Sequence, residues 1–327
     1  MAKIRDLIEI GLLIYPGAQL AAVHGLTDLF AIADQLAAGR GEGKAAPALR
    51  VSHWQPAPEA GGVHCCFDTH PGQPHRLVFL LMPPRLNGLP SLESTTALAP
   101  WLRAQHADGV ILGSICAGAF LLAETGLLKG RSVTTHWSYA ETLAERFPET
   151  VVNVDKLIID DGDIITAGGL MAWTDLGLRV VDRLLGPTVT VETARFLLVD
   201  PAGREQRFYS SFSPKLHHGD TAILKVQHWL QKRGTRDVTL AGMAEQAGLE
   251  ERTFLRRFHK ATGLKPTEYR QHLCIGKARE MLEFSRQSVE QIAWSVGYED
   301  AGAFRKVFQK VMGLSPGDYR RRFALGS

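Results

Sequence analysis

Thr239-Leu240-Ala241-Gly242-Met243-Ala244-Glu245-Gln246-Ala247-Gly248 returns 49 positions later as Ser288-Val289-Glu290-Gln291-Ile292-Ala293-Trp294-Ser295-Val296-Gly297. After one inserted residue the offset is 50, and Phe254, Phe258, Gly263, Leu264, Pro266, Tyr269 and Arg270 recur as Phe304, Phe308, Gly313, Leu314, Pro316, Tyr319 and Arg320. So many matches in one register mark a duplicated supersecondary unit. In each copy a hydroxyl residue (Thr239, Ser288) stands where it can accept from the free N–H groups of a helix start. Leu240, Met243, Ala244 and Ala247 fall at i, i+3, i+4 and i+7, one apolar stripe of a helix, and Val289, Ile292, Ala293 and Val296 repeat it. Gly248 and Gly297 stop these helices where a positive φ is needed. A second helix follows, anchored by Phe254 and Phe258, or by Phe304 and Phe308. Two short helices around a tight turn form the helix-turn-helix layout, whose second helix fits a DNA major groove.

Working outward, the formal net charge of +3 becomes informative once it is divided. From Asp220 onward the chain has 19 Lys/Arg against 12 Asp/Glu; residues 1–219 have 18 against 22. A basic C-terminal third on an acidic remainder predicts one module facing a polyanion and another that does not. At 327 residues there is enough chain for two full cores. The four cysteines, Cys65, Cys66, Cys116 and Cys274, show no zinc-ligand spacing, so no metal and no cofactor is expected. Their small number, with no cleavable leader, favours a reducing cytosol. The first apolar run, Leu7 to Ile14, is broken by Glu9 and ends at Pro16, which reads as a strand. The apolar run Val110 to Ala123 is 14 residues, short of the ~20 that span a bilayer. A soluble, cytoplasmic protein without a membrane partner is expected.

Upstream, short apolar strands alternate with helical stretches. Glu9–Ile14, Leu49–Trp54, Arg76–Met82 and Gly109–Gly113 read as strands, with helices near Leu20–Ala37, Leu92–Gln105 and from about Ala117. Gly39–Gly43 reads as an exposed loop and residues 56–75 as irregular. Ser132–Thr135, Val151–Asp155, Leu157–Asp160 and Ile164–Thr166 are strand-like, Ser138–Phe147 is helical, and Asp175–Leu185 is a last helix. This pattern predicts an α/β fold: a flavodoxin-like open parallel sheet with helices on both faces, followed by an all-α domain of two helix-turn-helix units joined by a long helix. The expected division is a first domain over residues 1–190, a linker over 191–219 and a DNA-binding domain over 220–327.

Gly113-Ser114-Ile115-Cys116-Ala117-Gly118-Ala119 lies between a buried strand and a helix. Small residues flank the cysteine, as in a nucleophile elbow, and a helix start favours a thiolate. His136 follows the next strand and is a candidate base for a Cys–His pair. Two other readings stand beside that one. A cysteine among Ala and Gly behaves as a small hydrophobe, and the carboxyl ends of parallel strands form ligand crevices without chemistry. Trp137 and Trp173 are candidate pocket walls, and equally candidate core residues.

The C-terminal hundred residues resemble the AraC/XylS-type DNA-binding domain, on the duplicated stripes, Glu251-Arg252-Thr253-Phe254-Leu255-Arg256-Arg257-Phe258 and Gly313-Leu314-Ser315-Pro316-Gly317-Asp318-Tyr319-Arg320. Residues 1 to about 190 resemble the class I glutamine amidotransferase-like (intracellular-protease-like) domain. Cys116 within Gly113–Phe120, the run Ala123–Arg131 and Thr134-Thr135-His136-Trp137 carry that likeness. In this order the two are similar to the GlxA-type branch of AraC regulators. The resemblance implies a first domain that senses a small metabolite, often an amino acid or quaternary amine, without catalysis; Cys116, His136, Trp137 and Trp173 are the residues expected to line its site. The chain departs from the enzyme pattern at Ala117, where the protease-like relatives carry histidine after the nucleophile. It departs again at Gly17–Ala22, which holds no acid where they carry a glutamate. Without an acid to orient it, a Cys–His pair loses much of its general-base strength.

For DNA, the first recognition helix, about Glu251 to Thr262, is expected to bury Phe254, Phe258 and Ala261. Arg252 and Arg256 are the expected base readers, since arginine reads guanine bidentately at ~1–3 kcal/mol. Arg257 and Lys260 join them as DNA contacts. The second helix, about Ala301 to Met312, offers Arg305 and Lys306, and Gly302 and Ala303 give it little reach, so it is expected to grip phosphate. A joining helix over Thr267 to Phe284 would span about 27 Å at ~1.5 Å per residue, which with its turns suits major grooves ~34 Å apart. The expected partners are double-stranded DNA, a small-molecule effector, a second copy of the chain in a homodimer and RNA polymerase. A Cys-dependent amidase or hydrolase carrying a DNA-binding tail is the alternative.

Overall fold

The computed structural model describes residues 7–39, 48–57, 62–200 and 204–324. The chain divides into two compact units, Met1–Gln206 and Arg207–Ser327. The first is built from β1 (Leu7–Leu13), α1 (Leu20–Ala38), β2 (Ala48–Pro56), β3 (Val63–Asp68), β4 (Leu77–Met82), α2 (Leu92–Ala107), β5 (Ile111–Ile115) and α3 (Ala119–Glu124). It continues through β6 (Ser132–Val133), α4 (Ala140–Arg146), β7 (Val151–Val152), β8 (Ile158–Asp160), β9 (Ile164–Ala167) and α5 (Trp173–Leu197).

The main sheet runs β3-β2-β1-β4-β5-β9-β8. Its five inner strands are parallel, in the flavodoxin order. The fully parallel sheet expected from sequence is corrected at both edges, where β3 and β8 run antiparallel. The reason lies in the connections. A parallel neighbour needs a long crossover, whereas only six residues separate β2 from β3 and three separate β8 from β9. β3 also falls inside residues 56–75, expected as irregular; Arg50 on β2 donates twice to Asp68 on β3, at 2.9 and 2.6 Å, and ties the pair together. The Gly39–Gly43 loop lies outside the described residues after Gly39.

Successive residues of β4 supply opposite core layers, as the strand period of two requires. Phe79 and Leu81 pack with α1 and α5, and Leu80 and Met82 with α2 and α3. The last helix runs past its expected end at Leu185 and kinks at Gly186, where φ is 82° and only glycine is at ease. Pro187 then opens the second half, where a missing N–H costs nothing. The expected linker, residues 191–219, is therefore partly helix, and Gln206 closes the first unit.

The second unit is all helical: α6 (Thr221–Arg233), α7 (Leu240–Ala247), α8 (Glu251–Thr262), α9 (Pro266–Phe284), α10 (Val289–Ser295), α11 (Ala301–Met312) and α12 (Pro316–Phe323). The predicted caps form. Thr239 accepts from Gly242 N–H at 3.1 Å, and Ser288 and Gln291 make a reciprocal capping box. Gly248 and Gly297 take φ of 68° and 94°. Two cores result, and α9 serves both: Tyr269 joins Phe254 and Phe258, while Cys274, Ile275, Ala278 and Leu282 join Phe304 and Phe308. The duplication reaches the ring geometry. Phe258 meets Tyr269 edge-to-face at 5.3 Å, and Phe308 meets Tyr319 likewise at 5.5 Å. The repeated arginines act alike too. Arg270 donates to Thr235 O and Arg320 to Gln287 O, each upstream of its copy's first helix.

Candidate functional site

In the second unit α8 decides what is offered to a partner. Phe254 and Phe258 are fully buried, and Arg252, Leu255, Arg256, His259 and Lys260 are exposed. Ala261 is only half-buried, contrary to expectation. Thr262 closes the buried stripe instead, because i, i+4 and i+8 stay on one face and its hydroxyl donates to Phe258 O at 2.8 Å. Arg257, half-exposed, is engaged within the unit. Its Nε and Nη2 donate to the Asp220 carboxylate at 2.9 and 2.7 Å, and that carboxylate also caps α6. The pair holds the Asp220 carboxyl below the usual range and ties α8 to the start of α6.

On α11, Asp300 caps the helix through Gly302 and Ala303 N–H, at 2.8 and 2.9 Å. Arg305 pairs with Glu290 across exposed surface, and Lys306 is exposed. A surface ion pair is worth little, so Arg305 is easily exchanged toward a phosphate. The sequence places Leu255 off the buried stripe, with Arg252 and Arg256, but gives it no role in DNA contact. Here it is 39% exposed between two arginines, and an apolar tip in a major groove meets the thymine methyl.

In the first unit the predicted elbow is present. Cys116 has φ 54°, a strained value for a side-chain-bearing residue, directly after β5. The sulfur is fully buried, with the N–H groups of Ala117 and Gly169 directed at it, and burial pushes the thiol up to about 11. The turn is braced by Thr135, whose hydroxyl donates to Cys116 O at 2.8 Å. Gln206 locks the next stretch: it accepts from Trp137 N–H at 2.7 Å and donates to Thr135 O at 2.9 Å. His136 turns to its own neighbour, with Nδ1 2.7 Å from Ser138 Oγ, and burial lowers its basicity. Its ring lies 5.2 Å from Trp137 and 5.7 Å from Tyr139.

The predicted set is thus only partly gathered. Cys116 follows β5 of the main sheet, and His136 and Trp137 follow β6 of a separate two-stranded β6-β7 sheet, tied to the Cys116 turn through Thr135. Trp173 opens α5 and packs on α1, where a Cβ at Gly25 would sit 2.5 Å from its ring. No hydrogen bond joins His136 to Cys116 among the described residues. Sequence reasoning missed Tyr15 and Tyr139, whose hydroxyls both feel Cys116 and Arg85, and Gln19, buried with Oε1 unpartnered. The only signal for them was position: Tyr15 and Gln19 follow β1, and Tyr139 follows β6. A separate cavity of about 680 Å³ is lined by Asp160, Asp175, Arg179 and Arg204 among others, and contains no residue of the Cys116 turn. Its charges compensate one another, Arg204 with Asp175 and Arg179 with Asp160.

The DJ-1/PfpI family model matches residues 60–183, which hold β3 through the first half of α5, and a helix-turn-helix domain model matches residues 243–322. The chain joins a region matching the DJ-1/PfpI family to a region matching a helix-turn-helix domain. It is 28% identical over 216 residues to the HTH-type transcriptional regulator CdhR of Pseudomonas aeruginosa, covering 66% of this chain and 64% of that relative. It is 29% identical over 234 residues to the HTH-type transcriptional regulator GlxA of Rhizobium meliloti, covering 70% of each. The DJ-1/PfpI part alone is 29% identical over 140 residues to the isonitrile hydratase of Pseudomonas putida, 43% of this chain and 56% of that enzyme. The chain therefore aligns with a little under two thirds of the length of the first of these relatives. Among the described residues no helix is long and apolar enough to cross a membrane.

Proposed function

We propose that this chain is a cytoplasmic, sequence-specific DNA-binding transcriptional regulator. Its DJ-1/PfpI-family domain binds a small metabolite, of the amino-acid or quaternary-amine class, and biases the helix-turn-helix domain. The observation that carries this reading is the exposed Arg252–Leu255–Arg256 face of α8, set on the buried Phe254 and Phe258. The relatives named as HTH-type transcriptional regulators support it. Homodimerisation follows from two-fold operators, and the metabolite acts by binding one conformational state better than the other. RNA polymerase is the partner at the promoter. The test is selection of double-stranded DNA from a random pool with the full chain. A defined site whose affinity falls steeply with salt is the expected result; recovery of no preferred sequence overturns it.

The likeness to isonitrile hydratase favours one second reading, Cys-dependent catalysis. Against it stand a thiol held near 11, which leaves about one molecule in ten thousand as thiolate at pH 7, and a His136 turned to Ser138. No acid stands beside them in the first turn. The sensor domain is non-catalytic in our reading. Wild type and Cys116→Ala are compared for consumption of isonitriles and for effector-dependent DNA binding. Turnover by the wild type alone would replace the sensor with an enzyme.

A further inference from the structure

Arg85 follows β4 in the run Pro83-Pro84-Arg85, where β1 and β4 lie side by side and the strand order reverses. Open α/β sheets hold their ligands at that point. A bridge joins Arg85 to Ala18, and Gln19 N–H donates to Pro84 O at 2.7 Å. The guanidinium is clamped by main chain alone: Nε donates to Pro16 O at 3.2 Å, and Nη1 donates to Leu89 O at 2.9 Å and to Asn87 O. It lies against Gly17, where φ is 80° and a Cβ would stand 2.7 Å from Nε. The clamp exists because that residue is glycine.

Six other arginines of this unit are handled differently, although Arg103 too donates to a main-chain carbonyl, that of Thr125. Arg50, Arg131, Arg146, Arg179, Arg183 and Arg204 each face a carboxylate. Arg85 has no carboxylate partner among the described residues, and its Nη2 edge has no acceptor there. Carbonyl dipoles fix the group in place and leave its full charge uncompensated. Its field reaches the Tyr15 and Tyr139 hydroxyls, which also feel Cys116, so the four groups share one neighbourhood. Gln19, 8% exposed with Oε1 unpartnered, belongs to the same bridge.

We propose that Arg85 is the anion anchor of a small-molecule site at the carboxyl ends of β1, β4 and β5, and that the ligand is a small carboxylate. This rests on the reading of the unit as a ligand-binding domain. The Nη2 edge meets one carboxylate oxygen, and the half-buried Tyr139 hydroxyl is the second donor. Burial keeps both the Cys116 thiol and the Tyr139 phenol protonated, so neither neutralises Arg85 nor repels an arriving anion. With Nε and Nη1 committed to carbonyls, the planar bidentate grip on a phosphate, or on both oxygens of a carboxylate, is not available. One free edge and one hydroxyl match a monoanion. The His136 ring, 5.7 Å from that of Tyr139, borders the same position.

The test is thermal unfolding of the full chain with propionate, benzoate, their carboxamides and choline, at matched ionic strength. A carboxylate is expected to raise the midpoint while its carboxamide does not. In Arg85→Gln the carboxylate needs about ten- to a hundredfold more for the same shift, the loss of one charge-assisted hydrogen bond. Arg85→Lys, which keeps the charge without the clamp, retains part of the response and covers the case in which the glutamine variant fails to fold. Equal shifts by carboxylate and carboxamide, or an unchanged response in both variants, overturn the anchor. A shift by choline alone also overturns it and leaves the sensor reading standing. Absence of any shift overturns both.

Discussion

In α8, Phe254 and Phe258 are buried and the exposed positions 252, 255, 256, 259 and 260 hold Arg, Leu, Arg, His and Lys. In α11, Phe304 and Phe308 take the same buried places, and the matching positions 302, 305, 306, 309 and 310 hold Gly, Arg, Lys, Gln and Lys. The interiors were preserved through the duplication because close packing tolerates little change in volume. The outward faces are under no such packing constraint and diverged. Even the ion pairs differ: the first copy ties Arg257 back to Asp220, where the second has Val307. The second instead pairs Arg305 with Glu290, positions that are Leu255 and Ala241 in the first. Shared phenylalanines therefore mean shared architecture, and they carry no information about shared specificity.

That contrast can be broken most forcefully at the cores. Phe258→Ala and Phe308→Ala are each expected to cost ~3–5 kcal/mol, read by chemical denaturation of the full chain. Similar losses sharpen the comparison; a loss confined to one copy breaks it. Next come the faces. Against a selected site and its single-base variants, Arg256→Ala should lose ~1–3 kcal/mol of discrimination at one base pair. Lys306→Ala should weaken all sequences alike and lower the salt slope by about 1. A specificity change confined to the second copy would reverse the assigned roles.

Smaller again is the effect of Leu255. Leu255→Ala is expected to cost roughly 0.8 kcal/mol, one buried methyl's worth, and only at sites where replacing a thymine by uracil weakens the wild type equally. An undiminished loss on uracil-containing DNA would remove the methyl contact.

The last prediction concerns acid. The Asp220 carboxyl is held low by Arg257, so the pair stabilises the fold above the ordinary carboxylate pKa of ~3.9, and that contribution is lost as pH falls through the lower folded value. Wild type should exceed Arg257→Met in stability at pH 7, and the difference should shrink below about pH 4. A gap that persists in acid would mean that packing, and not the ion pair, joins α8 to α6.

Much of the site was legible because it is local. The elbow at Cys116 was visible in its small neighbours, since only a crowded turn between strand and helix demands them, and φ of 54° follows. His136 was misleading for an equally local reason. Ser138, two residues on, captures Nδ1 before any distant sulfur can. Trp173 was ambiguous by type, and Gly25 on α1, 148 positions upstream, settled it as packing. β3 was hidden by the Pro, Gly and His around it, although its partners on β2 lie only 7 to 16 residues upstream.

The sequence by itself determined the duplication, the caps, the apolar stripes and the alternation that builds the sheet, because each depends on residues within a turn or two of one another. Tertiary structure alone decided which charges are free. Arg257 and Asp220, 37 positions apart, neutralise each other, whereas Arg85, 69 positions from Pro16, meets only carbonyls. The buried Cys116 keeps its proton because of what packs around it. A charge depends on everything that comes within a few ångströms, and chain order does not specify that neighbourhood.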